Sequence, residues 1–80
     1  MKRKIFCTIP QGLIKEPLLY NLGKNFQIIP NIRGASVTDD IALIALELEG
    51  EDVEIDKAIE FLKERGVKVE NMEGNEPKLG

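Results

Sequence analysis

Ile41 to Leu48 reads Ile-Ala-Leu-Ile-Ala-Leu-Glu-Leu, apolar at both parities until Glu47. Successive side chains of a strand point to opposite faces. Ala42, Ile44, Leu46 and Leu48 therefore fall on one face, and Ile41, Leu43 and Ala45 on the other. A strand that is apolar on both sides belongs in the middle of a sheet, with cover on each side. The rest of the 80-residue chain has to be built around it, and that length supports one domain.

The flanking segments switch between the strand and helix periods. Ile5, Cys7 and Ile9 share one face of a strand from Lys2 to Ile9, which Pro10-Gln11-Gly12 breaks. Pro17 suits the first turn of a helix, and Leu18, Leu19, Leu22 and Phe26 follow at helical spacing. Gly23 inside this helix marks either a close approach to the sheet or an early end. Gln27 to Thr38 is extended. Pro30 within it cannot donate to a ladder, so this strand lies at an edge or carries a bulge. Thr38-Asp39-Asp40 makes the hairpin turn into Ile41.

Glu51 and Asp52 open a second helix and complement its dipole. Ile55, Ala58, Ile59 and Leu62 form its apolar stripe. Lys63 and Arg65 occupy the last turn, and Gly66 supplies the stop. Val67 and Val69 alternate with Lys68 and Glu70 in a short final strand. Residues 1–71 thus read as one folded unit and 72–80 as a flexible tail.

Strand, helix, strand, strand, helix, strand, joined by right-handed crossovers, describes an α+β chain. It is a ferredoxin-like βαββαβ arrangement, with a four-stranded antiparallel sheet in the order 4-1-3-2 and two helices on one face. The open face then carries Phe6, Ile41, Leu43 and Ala45. A chain this short with no Trp and 5% aromatic residues has a thin aliphatic core, which favours association. The open face is accordingly the expected interface of a homodimer, with edge-strand pairing as a second route.

The chemistry is sparse. There is no His and only one Cys, so the commonest general base and metal ligand are missing, and an internal disulfide is excluded. Cys7 faces the core with Ile5 and Ile9, as a structural thiol. Asp39-Asp40 and the cluster Glu47, Glu49, Glu51 and Asp52 read as solvated carboxylates. No metal, cofactor or catalytic residue is expected. A net charge of -3, from 11 basic and 14 acidic residues, argues against nucleic acid. Phe6 is the lone aromatic on the central strands, against the several that stack RNA bases on such sheets. Lys2, Arg3 and Lys4 read as a solvated strand end. No apolar run is long enough to span a membrane or to form a signal peptide, so a cytoplasmic location is expected.

Asn31 and Arg33 lie two apart on an extended segment and point the same way. Arginine pairs bidentately with a carboxylate, and asparagine both donates and accepts. Gly34 and Ala35 leave room for close approach. Asn31, Ile32, Arg33, Gly34 and Ala35 are the candidate ligand-binding segment, for an amino acid or another small acid. A plain polar face on an edge strand explains the same residues.

The chain resembles the NIL domain family. The resemblance runs through Glu16-Pro17-Leu18-Leu19-Tyr20-Asn21-Leu22-Gly23-Lys24, Asn31-Ile32-Arg33, Leu46-Glu47-Leu48-Glu49-Gly50, Ala58-Ile59-Glu60-Phe61-Leu62 and Gly66-Val67-Lys68-Val69. Asn31 and Ile32 match the first two letters of the name-giving motif. Arg33 replaces its Leu, as in the ferredoxin-linked members. The resemblance implies an ACT-like ferredoxin fold that dimerises. In this family such domains end methionine-importer ATPases, where they bind the transported amino acid and inhibit transport, or precede iron–sulfur ferredoxin modules. It also implies a non-catalytic regulatory module for a small ligand, an amino acid such as methionine. The alternative is a structural module that docks a ferredoxin or ABC-transporter partner. An acylphosphatase-like hydrolase on the same fold is a weaker third option, because its characteristic loop is absent.

Overall fold

The structure is a computed structural model, and it describes residues 1–72. In chain order these form β1 (Lys2–Pro10), a 3-10 turn (Gln11–Leu13), α1 (Leu18–Asn25), β2 (Ile28–Val37), β3 (Ile41–Gly50), α2 (Asp52–Arg65) and β4 (Lys68–Asn71). The sheet runs β2-β3-β1-β4 with every neighbouring pair antiparallel. This is the ferredoxin-like α+β architecture read from the sequence, with β1 and β3 central and β2 and β4 at the edges.

One core lies between the sheet and the helices. Ile5, Cys7 and Ile9 of β1 and Ala42, Leu46 and Leu48 of β3 meet Leu18 and Leu22 of α1 and Ile55, Ala58 and Leu62 of α2. Burial pushes the Cys7 thiol up to about 12, so it stays protonated and serves as a small hydrophobe. The tilted rings of Phe26 and Phe61, 5.7 Å apart, tie the end of α1 to α2.

The connections follow from local chemistry. The Thr38 hydroxyl accepts from the N–H groups of Asp40 and Ile41, which builds the hairpin turn. Gly66 ends α2 in the left-handed region at φ 103°. Its N–H donates to Lys63, and that of Val67 donates to Leu62, the paired bonds of a Schellman cap. Gly23 is not forced by packing, because a Cβ there would sit 3.8 Å from Pro30 Cδ, an ordinary contact. The helix continues past it to Asn25.

Gly50 differs. A Cβ at that position would lie 2.8 Å from the Gln27 carbonyl oxygen, so the entry to β2 can pass beside β3 only over a glycine. The Gln27 N–H at the same corner donates to Glu54 of α2 at 2.9 Å. That bond, followed by the ion pair with Lys57, holds the Glu54 carboxyl below its ordinary 4.5.

The packing does not stop with the sheet at Asn71. The N–H of Met72 donates to the Lys4 carbonyl at 3.1 Å, and its side chain is only 6% exposed. Met72, the first residue of the expected tail, therefore packs with the domain. The remainder of that tail lies outside the described residues.

Candidate functional site

Counting back from the hairpin tip fixes which way β2 should face. Val37 pairs with Ala42 and Ala35 with Ile44. Both partners lie on the helix side of the sheet, and strict alternation would put Arg33 and Asn31 on that side too, against Leu46 and Leu48. That arrangement would put the guanidinium on the helix side, in the row opposite Leu46 where Ile32 now sits 57% exposed. The chain avoids it with a bulge between Ile32 and Gly34. One extra residue is inserted in β2, and the facing of everything before it is reversed. Asn31 now lies opposite Glu47, and Ile32 opposite Leu46.

The consequence is a polar row on the open face. Asn31 of β2, Glu47 of β3 and Lys4 of β1 are cross-strand neighbours. Arg33 Nη1 lies 3.6 Å from Glu47 Oε2. The Arg33 side chain is 42% exposed while that of Glu47 is 16% exposed, so the carboxylate is sheltered and the guanidinium lies over it. The next row along the strands is apolar: Gly34, Ala45 and Phe6 are paired neighbours, and Leu43 lies one row further, beside Thr8. Ala45 is buried, yet it stands outside the helix-side core cluster. Its side chain faces the open side of the sheet, with Phe6 and Gly34. Ile41, opposite Pro10 at the end of β1, extends this apolar row.

The five residues of the candidate segment therefore divide. Asn31, Arg33 and Gly34 belong to the open face. Ile32 and Ala35 pair with the helix-side residues Leu46 and Ile44, and Ile32 is 57% exposed at the edge. The four candidate interface residues Phe6, Ile41, Leu43 and Ala45 adjoin the open-face trio on one continuous surface. Sequence reasoning groups Glu47 with the solvated carboxylates and so misses it. The polar residue inside an otherwise apolar strand is the available signal, but only the bulge brings it opposite Asn31. Arg3, expected at a solvated strand end, is tethered to Asp56 and Asp52, at 2.7 and 3.1 Å.

Chemically, the arrangement offers a cation, an anion and an amide beside an apolar strip. That combination suits a molecule with its own separated charges and a hydrocarbon portion. Among the described residues, no three His, Cys, Asp or Glu side chains converge as metal ligands.

The sequence model described as NIL domain matches residues 7–71. The chain belongs to the NIL domain family. It is similar to the methionine import ATP-binding protein MetN 1 of Bacillus cereus, with 36% identity over 59 residues, which is 69% of this chain and 17% of that protein. The protein of the same description from Listeria monocytogenes serotype 4b is 34% identical over 62 residues, 72% of this chain and 18% of the relative. This NIL domain chain thus spans under one fifth of the length of the relatives it matches, which are named for their ATP-binding and import role. No helix among its described residues is long and apolar enough to cross a membrane.

Proposed function

We propose that this NIL domain is a non-catalytic regulatory module. It binds a small ligand, an amino acid such as methionine, on the open face of its sheet. One observation carries the reading: Asn31, Arg33 and Glu47 share that face with Phe6, Leu43 and Ala45. Arg33 receives the ligand carboxylate, Glu47 its ammonium group, and the Phe6–Ala45–Leu43 strip its side chain. The role for which the relatives are named, methionine import, supports an amino acid as the ligand. The module acts in the cytoplasm as a homodimer packed through Phe6, Ile41, Leu43 and Ala45. Ligand favours whichever subunit arrangement binds it better, a population shift.

Thermal unfolding against a panel of amino acids tests this. A ligand present at a hundredfold excess over its Kd adds about 2.7 kcal/mol and raises Tm. Arg33→Ala abolishes the rise while the unliganded Tm stays near its original value. If no amino acid shifts Tm at millimolar concentration, the sensor reading fails. The apolar strip then supports the second reading, a docking module for a ferredoxin or ABC-transporter partner.

A further inference from the structure

At the Pro10 end of the sheet the helix layer leaves a hollow. β2 and β3 have ten residues each, roughly 33 Å of strand, whereas α1 has eight, about 12 Å of helix. The 3-10 turn and residues 14–17 bridge the difference, and they meet the β2–β3 hairpin across a cavity of about 260 Å³. It lies at the other end of β1 from Met72, whose N–H reaches Lys4.

The lining is apolar almost throughout. Ile9 and Ala42, both buried, form the floor. Leu13, Ile14, Leu19 and Ile44 form the walls. Each packs against the core yet keeps part of its surface exposed. At the rim Val37 is 61% and Tyr20 63% exposed. Glu16 is the one charged residue among the lining, and its carboxylate is already paired with Arg65. The N–H groups of Ile14, Glu16 and Leu18 donate to Gln11, Leu13 and Glu16, within the connection itself. An ordered water needs about two to four polar partners, and this hollow supplies few.

We propose that this cavity binds an uncharged, hydrocarbon-rich molecule of about one ring's size. An apolar cavity of roughly 150 Å³ holds a benzene molecule, so 260 Å³ accommodates one ring with a short alkyl substituent. Such a ligand removes water from the exposed parts of Leu13, Ile14, Leu19 and Ile44 together. A carboxylate or an ammonium group would lose hydration on entry and find at the mouth only an ion pair that is already complete. A free amino acid carries both penalties, so this site selects against the ligand proposed for the open face. The two sites share no residue and stand or fall separately.

Toluene is the probe, with benzoate, benzylammonium and phenylalanine as charged molecules built on the same ring. In the chain with 13C-labelled methyl groups, followed by NMR, millimolar toluene shifts the Leu13, Ile14, Leu19, Val37 and Ile44 methyls along a saturable curve. Each charged analogue binds about tenfold or more weakly. Ile14→Trp fills the hollow from the connection and Ala42→Leu from the sheet, and each removes the toluene shifts. The methyl spectrum shows whether a variant has kept its fold. If Ala42→Leu unfolds, Ile14→Trp decides, because it starts from a partly exposed position. The proposal is overturned if toluene leaves these methyls unmoved or shifts those of Ile41 and Leu43 on the open face instead. It is equally overturned if a charged analogue binds as tightly as toluene, or if folded Ile14→Trp binds toluene as the parent does. None of these results touches the open-face reading, which is tested by the Tm response to amino acids and its loss in Arg33→Ala.

Discussion

Two glycines in this domain hold positions that other residues fill badly, and a third does not. At Gly50 a Cβ would meet the Gln27 carbonyl at 2.8 Å. Gly50→Ala must push β2 away from β3 and is expected to lower stability by about 2 kcal/mol or more in urea unfolding. At Gly66 the obstacle is conformation: φ is 103°, and Gly66→Ala costs about 1–2 kcal/mol. Gly23 has neither constraint, so Gly23→Ala is expected to stabilise α1 by about 1 kcal/mol. Glu54 adds a pH dependence. Its folded-state pKa lies below the ordinary 4.5 because the carboxylate accepts from Gln27 N–H. Its contribution is therefore present above that value and is lost as pH falls through the folded pKa. Glu54→Gln should flatten the acid limb of the stability–pH curve below 4.5 and leave its neutral limb parallel to the parent's. An acid limb as steep as the parent's would remove Glu54 from this role.

Among the elements, β2 has the least regular pattern. Its bulge decides which side of the sheet Asn31 and Arg33 occupy, and Arg33 is the extra residue, so deleting it should leave an unbulged ladder with the same pairs. Residues 28–32 would keep their facing, with Asn31 opposite Glu47, Ile32 opposite Leu46 and Ile28 in the core. The expected outcome is stability within about 1 kcal/mol of the parent's in urea unfolding, with loss of any Tm response to amino acids that depends on the Arg33 side chain. A deletion variant that loses about 2 kcal/mol or more would show that the bulge itself anchors the register. Most of the architecture was legible beforehand because β1, β3 and the two helices carry clean periods: Ile5-Cys7-Ile9, Ala42 to Leu48, and Ile55-Ala58-Ile59-Leu62. Pro30 announced an edge strand or a bulge, and β2 is both, although the bulge falls three residues later. Its facing was not legible. Asn31 and Arg33 share a parity in any register, and Ile29, Ile32 and Val37 are all more than half exposed, so no apolar alternation marks the inner side.

At the scale of the molecule, the helices cover one face of a sheet whose central strand is apolar on both. Phe6 and Leu43, both partly exposed, remain for a second surface to cover. If two copies meet there, Leu43→Glu converts a dimeric mass in light scattering to a monomeric one without unfolding the domain, since Leu43 lies outside the helix-side core. A dimer that survives this substitution would assign the contact to an edge strand. The bulge at Arg33 also bears on how such a surface changes over generations. With a straight β2, positions 31 and 33 would lie on the helix side opposite Leu48 and Leu46, where substitutions bear on the packing of the fold. With the extra residue they lie on the far side of the sheet from Leu46 and Leu48. Under the proposed reading, recognition can then drift from one small molecule to another across a lineage while the interior sequence stays the same.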